Sequence, residues 1–259
     1  MAILNHPIKE LQDMKTYPKK LFYDGNLALL DKEKISIVGS RKPSKYSRTQ
    51  IQNLSAKLAK IGICVVSGGA MGIDAVAHNG AGSSNTISVL PCGVDIRYPA
   101  VNKNLLNNIQ NNGLLLSQFE NGASSRAYTF VIRNELVVAL GKVLVVGEAD
   151  EGSGTMKSVE FALKMGKDIY VLAQRIGESK GTNKLLLEGK AKVIYDIDEF
   201  INIIFPQAQL NSQSNDDEFL KYCKTNPKYD DVLAKFPDRI FEAELNAEIE
   251  IIDAKIIVK

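Results

Sequence analysis

Six short apolar runs rich in β-branched residues recur between residues 35 and 174: "ISIVGS" (35–40), "ICVVSG" (63–68), "TISVLP" (86–91), "LLLSQ" (114–118), "VLVVGE" (143–148) and "IYVLAQ" (169–174). Their apolarity is continuous, not alternating, which is the pattern of strands buried on both faces. The stretches between them, such as "SRTQIQNLSAKLAKI" (47–61) and "VNKNLLNNIQNN" (101–112), carry helical spacing. Strand and helix in alternation predict an α/β fold with a doubly wound, mostly parallel sheet.

Right-handed crossovers put the carboxyl ends of such strands on one edge, where ligands of these sheets bind. The turns after the strands are therefore the informative places. After the first comes Gly39-Ser40-Arg41-Lys42, after the second Ser67-Gly68-Gly69-Ala70-Met71-Gly72-Ile73-Asp74, after the third Pro91-Cys92-Gly93, and after the fifth Glu148 through Gly152-Ser153-Gly154-Thr155. Glycine turns between strand and helix expose backbone N–H groups to anions. The first turn departs from G-x-G-x-x-G, and no G-x-x-x-x-G-K-[ST] occurs, so dinucleotide binding and nucleotide hydrolysis lose their main support. Arg41 instead offers a planar fork to a phosphate or a base edge.

The α/β pattern ends after "EFINIIF" (199–205), and the polar "PQAQLNSQSNDD" (206–217) reads as a linker. Residues 218–259 predict three short helices and a hairpin turning near Asp253-Ala254, similar to a winged-helix module. The expected organisation is a large domain over 1–205, a linker over 206–217 and a small domain over 218–259. With 259 residues, 45% of them hydrophobic, the chain can build one large core and a marginal second one. Net charge is +2, unevenly spread: from Asp216 onward seven Lys/Arg face eleven Asp/Glu, a balance of −4, leaving +6 on the first 215 residues. A polyanion should meet the large domain, and the acidic tail suits a protein partner.

No run approaches the length of a membrane span and the start lacks the layout of an export signal, so the expected location is the cytoplasm. Cys64, Cys92 and Cys223 are too scattered for a disulfide framework or zinc cluster and read as small buried hydrophobes. His78 lies one helical turn after Asp74; the pair more simply orients the glycine turn by a hydrogen bond than binds a metal. No cofactor and no metal are expected.

"SSRAYTFVIRNELVVALG" (124–141) interleaves Arg126, Tyr128, Phe130 and Arg133 at the start of a helix. That is the composition of a single-strand platform, with rings to stack on bases and guanidinium groups for the backbone. The alternative makes Phe130 a core residue and Arg133 a structural ion-pair partner of Glu135 or Glu148; the sequence leaves both open.

Taken together, "YDGNLALL", "ISIVGSRKPSKYS", "VVSGGAMGIDAVAH", "TISVLPCGVDIRYPAVNKNLL", "GLLLSQF", "FVIRNELVVALGKVLVVGEADEGSGTMKS" and "GTNKLLLEGKA" resemble, in order, the DNA-processing protein A family (DprA, also called Smf) over roughly residues 21 to 195. The N-terminal helical domain of longer members has no expected counterpart here. The resemblance implies an extended Rossmann-like domain that forms a homodimer, binds single-stranded DNA and helps load the RecA recombinase in natural transformation, without catalysis. It also implies the site. Gly39, Ser40 and Arg41, with Lys42 beside them, match the family's G-S/T-R turn; Gly68 and Gly69 match the next turn. Phe130, Arg133 and Asn134 match F-x-x-R-N, and Arg126 is the nearest basic residue ahead of them. Departures are Glu135, where the family carries a second arginine, and "SGTMKS" in place of S-G-S-L-I-T, so Lys157 inherits no role.

Two rivals remain. A nucleoside monophosphate phosphoribohydrolase of the LOG family shares a Rossmann-like fold, but "EADEGSGTMKSVE" puts Glu160 two residues too far along a helix, about 200° away from its catalytic direction. A protein-interaction scaffold without DNA binding is the other, and salt-dependent strand binding separates that scaffold from a DNA binder.

Overall fold

The computed structural model describes residues 2–4, 6–208, 218–245, 249–252 and 255–258. Two compact units divide it, Met1–Ile204 and Phe205–Lys259.

In the large unit every one of the six apolar runs forms a strand: β3 (Lys34–Val38), β4 (Cys64–Ser67), β5 (Thr86–Leu90), β6 (Leu114–Ser117), β7 (Leu144–Val146) and β8 (Ile169–Leu172). All residues of these six are buried, as continuous apolarity requires. Three more strands complete a nine-stranded sheet in the order β1-β2-β6-β5-β4-β3-β7-β8-β9. They are β1 (Ala2–Ile3), β2 (Phe22–Gly25) and β9 (Lys192–Ile194). From β3 to β9 all pairings are parallel; β2 runs antiparallel to β6 and β1 antiparallel to β2.

The crossover helices are α1 (Lys45–Lys60), α2 (Ile73–Ala81), α3 (Lys103–Asn112), α4 (Ala127–Leu140), α5 (Gly154–Lys164) and α6 (Lys180–Leu187), and α7 (Ile197–Ile204) follows the last strand. They cover both faces. Leu114 and Leu116 of β6 join the core formed with Leu136–Leu140 of α4, Val159 of α5 and Leu185 of α6. Leu115 between them points the other way, into a cluster with Phe22, Leu106 and Ile109. The alternation along one strand is what fixes its two layers.

The chain lays down β3, then β4, β5 and β6 to one side, and returns to β7 on the other side of β3. Strand order reverses at the β3/β7 boundary, and at such a switch point the loops leave in opposite directions and open a crevice. Ser44 starts α1 there, its hydroxyl accepting from the Ser47 N–H at 3.1 Å. At the opposite edge the Lys167 ammonium donates to the carbonyls of Ala139 and Gly141, both at 2.6 Å, satisfying the buried C-terminal end of α4.

The small unit contains α8 (Glu218–Cys223), α9 (Tyr229–Lys235), α10 (Pro237–Leu245) and an antiparallel pair, β10 (Ile249–Ile252) and β11 (Lys255–Val258). Phe219, Cys223, Val232, Ile240, Ala243, Ile249 and Ile256 form its core. Ile252 pairs with Lys255, while the turn at Asp253-Ala254 and most of the linker, residues 209–217, lie outside the described residues. Among the described residues no helix is long and apolar enough to cross a membrane. Cys64, Cys92 and Cys223 are all buried, with burial pushing the Cys64 thiol up to about 12.

Candidate nucleic-acid interface

A cleft of about 530 Å³ opens at the switch point. One wall is the turn after β3, tied down by the Ser40 N–H donating to the Glu148 carbonyl at 2.7 Å and the Ile73 N–H donating to the Ser40 carbonyl at 3.0 Å. The Glu148 carboxylate accepts from the Ser44 N–H at 2.9 Å, so the turn is braced at both ends. Gly72 permits this approach. Its φ is +80°, and a Cβ there would strike the Ser40 carbonyl and the Arg41 backbone.

Arg41 is exposed at this wall and its guanidinium has no hydrogen-bond partner among the described residues. Its central carbon lies 5.7 Å from the centre of the Phe130 ring. Phe130 is half-buried at the start of α4, and the Arg133 guanidinium sits 5.9 Å from the same ring. Arg133 itself is 5% exposed. One guanidinium nitrogen donates to the Gly68 carbonyl and, at 3.1 Å, to the Val89 carbonyl; Nε donates to Asn134 Oδ1 at 3.1 Å. Asn134 in turn reaches the Gly154 carbonyl at 3.5 Å, linking α4 to the start of α5.

The acid nearest in effect to Arg133 is Asp74, not Glu135 or Glu148. Burial pushes the Asp74 carboxyl above its ordinary value, while the Arg133 charge and the Ala70 N–H, which donates to Oδ2 at 3.3 Å, pull it back. His78 does not bond Asp74: its Nδ1 is 2.7 Å from the Thr86 hydroxyl, inside the core. Glu135 turns away from the cleft and accepts from the Lys15 N–H at 3.3 Å. No group of three or more potential metal ligands occurs among the described residues.

Of the residues singled out from sequence, Gly39, Ser40, Arg41, Phe130, Arg133 and Asn134 line the cleft together. Gly68 lines a smaller crevice that joins it at Arg41, Phe130 and Arg133. Gly69, with φ +68°, lies behind, its carbonyl accepting from Asn102 at 3.0 Å. Lys42 is exposed beside the turn, its N–H bonded to Ser40 Oγ at 3.1 Å. Arg126 is the exposed N-cap of α4, outside the cleft lining, and the Thr129 hydroxyl accepts from its N–H at 2.9 Å.

Sequence reasoning missed three contributors. Lys157 lines the cleft while paired with Glu160 at 2.9 Å. Asp150 places a carboxylate on the same lining. Tyr98 meets Phe130 edge to face, ring centres 5.7 Å apart. The signal for Tyr98 was its position in the loop after the third apolar run, on the same sheet edge as the glycine turns.

A doubly wound sheet whose switch point opens into a cleft bearing an exposed guanidinium and aromatic rings defines a Rossmann-like protein. The chain belongs to the family described as DNA recombination-mediator protein A, whose model matches residues 5–205. It is 35% identical over 189 residues to DNA processing protein DprA of Streptococcus pneumoniae, covering 71% of this chain and 66% of that one. To protein Smf of Synechocystis sp. it is 32% identical over 192 residues, covering 71% and 48%. The chain thus spans between about half and two thirds of these relatives.

Among solved structures, DNA processing protein A from Helicobacter pylori, studied for its single-stranded DNA binding mode, superposes with a TM-score of 0.78 at 40% identity, covering 79% of this chain and 95% of that one. DprA from Streptococcus pneumoniae gives 0.70 at 33% identity, covering 74% and 69%.

Proposed function

We propose that the large unit binds single-stranded DNA in the switch-point cleft, with no chemical step. The observation that carries this reading is Arg41: an exposed guanidinium without a hydrogen-bond partner among the described residues, beside the Phe130 ring, at the edge where α/β sheets take ligands. Gly39 and Ser40 give the backbone corner for a phosphate, and Phe130 and Asn134 face the same space. Arg133 works from beneath, holding the Gly68 turn in place. Arg126 and Lys42 meet the strand further out.

A relative characterised for single-stranded DNA binding, at 40% identity, supports the same assignment. The rival enzyme reading is weakened at Glu160, which lies outside the cleft lining with its carboxylate held by Lys157. The family resemblance supports a place in natural transformation, protection of incoming DNA, loading of RecA and a homodimer formed through the large unit. We read the small unit as a winged-helix-like module for protein contact, on its three helices, its hairpin and the acidic balance of the tail.

The test is fluorescence anisotropy of labelled oligothymidine against wild type and Arg41→Ala over a salt series, with a duplex control. Salt-dependent single-strand binding weakened by Arg41→Ala is expected; no binding at low salt overturns the reading.

A further inference from the structure

Phe130, the ring singled out for this site from sequence, is already crowded: the guanidinium carbons of Arg41 and Arg133 and the ring of Tyr98 all lie within 6 Å of its centre. Phe130 is half-buried, whereas Tyr98 is 41% exposed. The Tyr98 hydroxyl has no hydrogen-bond partner among the described residues, so the ring is held by its edge-to-face contact and by the loop that carries it. Beneath it runs a crevice of about 30 Å³, walled by Met71, Pro91 and Pro99 and continuous with the cleft through Arg41 and Phe130. Met71 is itself 44% exposed there. An open aromatic ring, the exposed Met71 side chain and the half-buried Pro99 ring make an apolar ledge on one side of the Arg41 guanidinium.

Such a surface has nothing to offer a phosphate. A flat π-face beside polarizable sulfur suits an unpaired nucleobase. The two rings are inclined by 65°, so one base cannot lie parallel to both. Resting on the reading that the cleft binds single-stranded DNA, we propose that Tyr98 is a second base-stacking platform: with a phosphate at Arg41, the base on one side enters the cleft at Phe130 and its neighbour stacks on Tyr98. The strand is splayed at Arg41 as a result. A duplex, whose bases are already stacked on each other, cannot use the ledge.

The test compares wild type, Tyr98→Ala and Tyr98→Phe on oligothymidine and on an oligomer of the same length in which abasic sugars replace the nucleosides. Tyr98→Ala should lose about 5-fold or more in affinity for oligothymidine and Tyr98→Phe should restore it. On the abasic oligomer all three should bind alike, because the phosphates are held as before. Unchanged oligothymidine binding by Tyr98→Ala overturns the platform while leaving single-strand binding standing. Equal losses on both oligomers, or no rescue by Tyr98→Phe, also overturn it. Failure of wild type to bind oligothymidine removes the underlying reading and the platform together.

Discussion

Arg133 passes behind the Gly68 turn and is bonded to its carbonyl so closely that a Cβ at Gly68 would fall on the guanidinium, and within 2.8 Å of Asp74 Oδ2. The glycine is required here for space, since its φ lies outside the left-handed region. A buried cation, a buried acid and a bare backbone turn therefore form one unit beneath the cleft floor.

Gly68→Ala should force Arg133 out of its seat and leave the Gly68 and Val89 carbonyls short of a donor. A loss of ~2 kcal/mol or more in unfolding free energy is expected from that overlap and the unmade bonds. Urea denaturation measures it, and a change under about 0.5 kcal/mol, the range of a neutral surface substitution, would show that the turn yields freely.

Arg133→Met should cost more, about 3–5 kcal/mol, because Asp74 is left buried without its compensating charge. Adding Asp74→Asn to that variant should recover part of the loss. If the double variant is no more stable than Arg133→Met alone, the two groups are not coupled.

Arg41→Ala should behave oppositely. The side chain is exposed and makes no hydrogen bond to the described residues, so stability should stay within about 0.5 kcal/mol of wild type. The salt dependence of single-strand binding should flatten by about 0.7 in log–log slope for each phosphate that the variant no longer neutralises. Thermal melts and the anisotropy series run side by side separate a binding residue from a structural one.

Acid should weaken the large unit through His78. Burial pushes its imidazole from the ordinary 6.5 down to about 3, so between those values the unfolded chain takes up a proton that the folded chain refuses. The His78 contribution is full above about pH 6.5 and falls as pH drops, by up to ~1.4 kcal/mol per unit. Unfolding curves across a falling pH series from neutral should show a shallower fall for His78→Asn than for wild type. Asp74, shifted up, acts in the reverse sense and is common to both proteins. Parallel slopes in the two proteins would assign the acid sensitivity elsewhere.

The six central strands and the first glycine turn were readable from sequence because their signals are local. A strand buried on both faces must be apolar throughout, and Gly39-Ser40-Arg41 sits where a strand must turn into a helix. The edge strands escaped notice. β9 is three residues long and partly exposed, and β2 is a short mixed segment that becomes a strand only by pairing with β6, which comes far later in the chain.

The same division runs through the site. Connectivity placed the Arg41 turn at the carboxyl edge of the sheet, and the family resemblance added Phe130, Arg133 and Asn134 to the site. Which of the two arginines is exposed, that Arg133 is balanced by Asp74 and not by a glutamate nearer in sequence, and that Tyr98 stands beside Phe130 were decided by the tertiary structure. Those relationships join turns carried by different strands, and their distances exist only once the crossovers have packed the sheet.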